Sequence, residues 1–173
     1  AEAHPQEVAE QIGFAENVVY AVSRGKPVEE VSSEELTQML RFAVDLGRPA
    51  AVRYPRGQAY GGLAECRAPL ELGRSETIVE EGGVLLLAVG SMVQTAVRVR
   101  ELLAEKNIPC SIANARFVMP LDTELLSAAP SRYRALVTLE ENAASGGFGE
   151  HVAAWYTREG IRAPLLMIAL PEI

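Results

Sequence analysis

Val84–Val89 reads VLLLAV, an apolar run with no polar residue alternating through it. A strand with one wet face alternates polar and apolar positions. An unbroken run of this kind needs cover on both faces, as a parallel strand between two helical layers has. Gly90-Ser91 turns the chain into a helical pattern from about Met92 to Lys106, with Val93, Ala96, Val97, Val99, Leu102 and Leu103 available for packing. Strand-like Cys110–Phe117, helical Leu121–Ala128 and strand-like Ala135–Leu139 follow. Gly146-Gly147-Phe148-Gly149 then leads into a helix through Val152, Ala153, Trp155 and Tyr156, and Leu165–Leu170 reads as the last strand. This β-α-β rhythm predicts an α/β fold with a parallel sheet and right-handed crossovers.

Upstream the pattern is different. Ser32 and Ser33 precede Glu34 and Glu35, a hydroxyl cap followed by first-turn carboxylates, and Ser32 with Glu35 has capping-box spacing. Leu36, Met39, Leu40, Ala43 and Val44 recur at helical intervals, and Gly47 stands where a helix C-cap is expected. After Pro49 a short apolar strand, Ala50–Tyr54, ends at Pro55-Arg56-Gly57, and 58–83 reads as a glycine-rich, mixed-charge linker. Nearer the start, Val8–Phe14 is helix-like and Asn17–Val22 strand-like, before Ser23–Pro27 breaks the pattern.

Composition excludes several classes of partner. With 173 residues, 49% hydrophobic and 23% charged, the chain can build a core. Its formal net charge of −7 argues against a nucleic-acid surface, which needs clustered Lys and Arg. No apolar stretch approaches the ~20 residues needed to span a bilayer, so no membrane partner is expected. Cys66 and Cys110, the two cysteines, stand at no metal-ligand spacing and offer no disulfide framework, which favours a reducing compartment; Glu2, Glu7 and Glu10 are unlike a basic signal-peptide start. A cytoplasmic location is the expectation.

Few residues carry chemistry. The Gly-Gly-Phe-Gly run lacks both the Lys-Ser/Thr of a P-loop and the G-x-G-x-x-G spacing, and Glu140-Glu141 before it would repel an anion, so its glycines are expected to serve tight turning and close packing. Glu140 and Glu141 point to opposite faces of an extended segment, which favours a structural role, such as capping loop amides or pairing across a subunit interface, over joint acid–base work. Arg53-Tyr54-Pro55-Arg56-Gly57 is the most promising cluster: Pro55 fixes direction, Gly57 frees the turn, and an Arg there can offer its planar fork to a phosphate. An ordinary strand-end ion pair is the plainer alternative. His4 and His151 lie far apart with no metal-ligand neighbours; His151 is expected to be a packed or surface histidine, and Trp155 and Tyr156 to belong to their helix's buried face.

Several segments resemble one family. Ser33–Gly57 (SEELTQMLRFAVDLGRPAAVRYPRG) is similar to the end of the pyrimidine-binding domain of the 1-deoxy-D-xylulose-5-phosphate synthases, transketolase-type thiamine-diphosphate enzymes. Arg116–Asp122 (RFVMPLD) resembles that family's RFVKPLD segment, with Met119 in place of Lys. Val137–Asn142 (VTLEEN) followed by Gly146–Gly149 resembles its VTVEEN…GGxG region, and Ala169–Pro171 its GLPD segment, with Glu172 as a departure.

The resemblance implies an α/β fold: a transketolase C-terminal-type parallel or mixed sheet with helices on both faces, preceded by a fragment of the pyrimidine-binding domain. It divides the chain into 1–31, an unassigned shortened remnant; 32–62, the end of the pyrimidine-binding domain; 63–83, a linker; and 84–173, the C-terminal domain, truncated at its end. It implies an enzyme joining pyruvate and D-glyceraldehyde 3-phosphate with loss of carbon dioxide, on the route to isoprenoids, thiamine and pyridoxal. There thiamine diphosphate with magnesium supplies the nucleophile and electron sink, and the protein supplies positioning and electrostatics.

The family's phosphate-binding Arg falls on Arg56, the one substrate-binding residue expected here; no catalytic, cofactor-binding or metal residue is assigned. The G-D-G…N segment that holds diphosphate and magnesium does not occur, so no cofactor is expected on the isolated chain and it is expected to be inactive. A homodimer through the C-terminal domain is implied, or a partner subunit carrying the missing domains. A split transketolase, a 2-oxoacid dehydrogenase β-subunit and a non-catalytic assembly or regulatory module remain as alternatives.

Overall fold

The computed structural model describes residues 34–47, 49–53 and 68–171. The chain divides into two compact units, Ala1–Ala59 and Tyr60–Ile173, and each is taken by itself.

In the first unit, α1 spans Glu34–Asp45. Leu36, Met39, Leu40 and Ala43 are half-buried at the spacing of one helical face, whereas Val44 is 80% exposed, so the apolar stripe is narrower than expected. Gly47 takes φ +64° just past the helix, the left-handed stop that its sequence position predicts. The expected strand over Ala50–Tyr54 is not formed at residues 50–53. A strand exists by pairing, and no other strand among this unit's described residues offers a ladder. The Ser32 and Ser33 cap, the Val8–Phe14 and Asn17–Val22 elements, and Tyr54 through Gly57, Arg56 included, lie outside the described residues.

The second unit is built on β1 (Glu76–Ala88), β2 (Cys110–Asn114), β3 (Ala135–Ala143) and β4 (Leu165–Leu170), in the spatial order β2-β1-β3-β4. Its helices are α2 (Met92–Ala104), α3 (Thr123–Arg132) and α4 (Phe148–Arg158). Val84–Ala88 lies between β2 and β3, parallel to both, with Leu86 opposite Ile112 and Val137. Leu85 and Leu87 join the core that α3 and α4 cover, through Leu126, Ala129, Val152 and Trp155. Leu86 and Ala88 join the opposite core, under Val93 and Ala96 of α2. The apolar run therefore has cover on both faces, and each buried Leu contributes ~1.5–3 kcal/mol. On α2, Leu102 is a correction: it is 59% exposed and does not pack.

The upstream half of β1 lies within what the sequence reads as linker. Its register against β2 counts the other way: Glu76 stands opposite Asn114, Thr77 opposite Ala113 and Val79 opposite Ile112. This arm therefore runs antiparallel along the other edge of β2. The chain rounds the start of β2 at Gly82 and Gly83, with φ +76° and +66°. The buried Ser111 hydroxyl accepts from the Glu81 and Gly82 amides at 3.0 and 2.9 Å and donates to the Gly82 carbonyl at 3.2 Å. Glu80 pairs with Arg132 of α3 and Glu81 with Arg100 of α2.

Two element ends also differ from expectation. β2 stops at Asn114, short of Phe117, because Arg116 takes φ +56°. α3 starts at Thr123, capped by the Asp122 carboxylate, which accepts from Leu125 N at 3.0 Å, and it runs to Arg132 through Pro130. β4 pairs with β3 and leaves Leu166, Met167, Ile168 and Leu170 exposed at the sheet edge. No helix among the described residues is long and apolar enough to cross a membrane.

Candidate functional site

In a doubly wound sheet, ligands favour the crevice at the carboxyl ends of the strands where the winding reverses. Here that place lies between the ends of β1 and β3, because the chain leaves β1 for β2 on one side and passes to β3 and β4 on the other. Ser91 follows β1, and Glu140 and Glu141 close the regular part of β3. The Ser91 hydroxyl donates to Glu141 Oε2 at 2.5 Å.

Glu140 turns the other way and is buried. Its Oε2 accepts from the Phe148 amide at 2.8 Å and its Oε1 from the Gly149 amide at 2.9 Å. These are first-turn donors of α4, which have no partner within the helix, and the carboxylate also complements the positive end of the dipole. The glycines make room for it. A Cβ on Gly147 would stand 2.5 Å from the Ala143 carbonyl oxygen and 2.7 Å from both Glu140 oxygens. One on Gly149 would stand 2.6 Å from Thr138 Oγ1. The Gly-Gly-Phe-Gly run thus packs closely, and the position an anion would take at this helix start is filled by the protein's own carboxylate. Glu140 and Glu141 serve separate partners and do not form an acid–base pair.

Several further side chains are committed to structure. Arg116, at the carboxyl end of β2, is turned inward against Glu76, N–O 3.0 Å. Asp122 Oδ2 accepts the Ser75 amide at 2.7 Å while Oδ1 caps α3. The Arg100 guanidinium holds the Glu81 carboxyl below the usual carboxylate range, chiefly through their hydrogen bond. Burial pushes the Cys110 thiol up, which disfavours the nucleophilic thiolate. Trp155 and Tyr156 belong to the core, and His151 is half-buried on α4. Arg53 is exposed. Arg56 and His4 lie outside the described residues.

Nor do the described residues fit a diphosphate–magnesium group. They contain no cluster of three or more His, Cys, Asp or Glu side chains able to hold a metal ion. The α4 helix start already holds Glu140. The structural roles of Arg116 and Asp122 were not read from the sequence. The signal available was their place in one segment, RFVMPLD, at the end of a strand.

Fold and strand ends together define an α/β domain whose carboxyl-end carboxylates and arginine are spent on caps and internal ion pairs. The chain belongs to the transketolase family: the description "Transketolase, C-terminal domain" matches residues 73–173. It is 39% identical over 145 residues to a 1-deoxy-D-xylulose-5-phosphate synthase of Lachnoclostridium phytofermentans, covering 82% of this chain and 23% of that protein. The synthase of Aquifex aeolicus is 37% identical over 139 residues, covering 80% and 22%. That of Synechocystis sp. is 42% identical over 142 residues, again covering 80% and 22%. The matched stretch is the C-terminal portion of these proteins, and the chain spans less than a quarter of their length. Among solved structures, a split gene transketolase described as an inactive beta4 tetramer superposes with a TM-score of 0.73 at 24% identity, covering 79% of this chain and 45% of that one. At that identity the likeness shows the fold.

Proposed function

We propose that this chain is the C-terminal portion of a 1-deoxy-D-xylulose-5-phosphate synthase, which joins pyruvate to D-glyceraldehyde 3-phosphate with loss of carbon dioxide. The observation that carries the reading is 37–42% identity to such synthases, sustained over about four-fifths of the chain. The residues before the linker are read as the end of a pyrimidine-binding domain, with Arg56 as a phosphate ligand. Thiamine diphosphate and magnesium fall to parts of the synthase that these 173 residues do not match. The C-terminal domain supports a cytoplasmic homodimer, and the 173-residue chain alone does not turn over.

Two measurements test this. The chain alone, given thiamine diphosphate, magnesium, pyruvate and glyceraldehyde 3-phosphate, is expected to form no product above background; turnover would overturn the inactivity. The chain grafted in place of the matching portion of the Aquifex aeolicus synthase is expected to keep synthase activity. A graft that folds and dimerises yet makes no product would overturn the functional reading.

A further inference from the structure

An arginine at the carboxyl end of a parallel strand is ordinarily a ligand-binding candidate. Arg116 is not available for that. Its side chain is 1% exposed, against 9% for Glu76, and its NH2 stands 3.0 Å from Glu76 Oε2. The left-handed backbone, φ +56°, turns the side chain away from the strand's end, and the Asn114 side chain holds that turn by accepting the Arg116 amide at 3.1 Å. The guanidinium NH1 donates to the carbonyls of Ala68 and Pro69, at 3.2 and 3.4 Å. Glu76 completes the ring, its Oε1 accepting the Ala68 amide at 3.2 Å. The donor and the acceptor of Ala68 are therefore both held by the two members of one buried ion pair. Asp122 adds a second tie a few residues on, accepting the Ser75 amide.

We propose that the Arg116–Glu76 pair is a buckle that straps residues 68–69 to the domain and fixes the point where the preceding chain enters it. The strap lies ahead of the family match, which begins at residue 73. Arg116 is a positioning residue: its charge is spent on the backbone of the strap. Arg56 lies twelve residues upstream on the same chain, so the tether of the proposed phosphate loop has a fixed downstream end. The buckle stands whether or not the synthase reading does, since every member of it lies in the second unit.

The test is hydrogen exchange of the full 173-residue chain, read by mass spectrometry on peptides that start at least two residues before Ala68 and run to 72 and, as an internal reference, on peptides spanning 84–89. In the parent chain the Ala68 amide is expected to exchange slowly. Arg116→Met removes the guanidinium facing the buried Glu76 carboxylate and is open to the objection that it merely unfolds. The decisive variant is therefore the double exchange Arg116→Met with Glu76→Met, because replacing a buried ion pair by apolar residues is often tolerated. It is expected to keep the slow exchange of 84–89 while 68–72 speeds up by about tenfold or more, as lost charge-assisted hydrogen bonds imply. Unchanged exchange at 68–72 in a folded double variant would overturn the proposal. So would a double variant that fails to fold, because the pair would then serve the core and not the strap.

Discussion

Tyr156 of α4 donates its hydroxyl to the backbone carbonyl of Leu126 in α3, at 3.0 Å, inside the core. Leu126 is the residue whose carbonyl would have taken a helical bond from position 130, and position 130 is a proline with no N–H to give. The next helix thus supplies the donor that the proline withholds. A carbonyl stranded in the core would otherwise cost ~1–3 kcal/mol.

Removing that donor should reveal the coupling. Tyr156→Phe is expected to lower unfolding stability by ~1–3 kcal/mol in urea titrations, with the ring packing kept. Pro130→Ala restores a backbone N–H. In the double variant the cost of losing the hydroxyl should shrink by ~1 kcal/mol. Strict additivity of the two changes would show that Leu126 does not depend on Tyr156.

The same hydroxyl sets an alkaline limit. Burial pushes its pKa up from 10.0 to about 12. A raised folded-state pKa means the contribution is complete below the unfolded value and is lost as pH climbs from 10.0 towards about 12. In that window the unfolded chain has released the proton and the folded chain still holds it. Stability should fall across it, by ~1–2 kcal/mol once partial screening by solvent is allowed for. The Tyr156→Phe chain should lack this component. Identical alkaline curves for the two proteins would refute it.

Glu140 and Glu141 are neighbours with opposite expectations. Glu140→Ala leaves the Phe148 and Gly149 amides without their acceptor inside the protein and should cost ~2 kcal/mol. Glu140→Gln keeps one acceptor oxygen and should cost less. Glu141 is exposed, and its replacement by Ala should stay within ~0.5 kcal/mol. Equal losses at the two positions would sink the assignment of the cap to Glu140.

What could be read from the sequence was whatever a local pattern fixes. VLLLAV demands two-sided cover wherever it sits, and the strand–helix alternation after it leaves little topological choice. Gly47 and Gly146 announce their turns by type alone. What escaped depends on partners remote in the chain. Glu80 and Glu81 look like linker residues until Arg132 and Arg100 meet them from helices not yet made. The expected helix ends at Ala128, whereas the helix runs on through Pro130 to Arg132, because the donor that the proline withholds comes from another helix. Arg116 reads as one polar residue among others until the chain before β1 lies across it. The phosphate-binding reading of Arg56 came from family likeness, and no contact among the described residues bears on it.

The turn that carries β1 around the start of β2 offers the sharpest contrast between adjacent positions. Gly82 and Gly83 both have left-handed φ, +76° and +66°. A Cβ on Gly82 would meet nothing within 4 Å, so Gly82→Ala should cost only the backbone strain, ~1–2 kcal/mol. A Cβ on Gly83 would stand 2.0 Å from the Pro109 carbonyl oxygen and 2.7 Å from its carbon. That same oxygen accepts the Val84 amide at 3.1 Å, the first bond of the parallel ladder. Gly83→Ala therefore adds a clash with backbone to the same strain and loosens the central strand where it begins. Its loss should exceed that of Gly82→Ala by ~2 kcal/mol or more, with the difference read from paired urea titrations. Equal losses at the two glycines would mean that the chain does not wrap β2 at Pro109, and the antiparallel arm of β1 would lose its anchor.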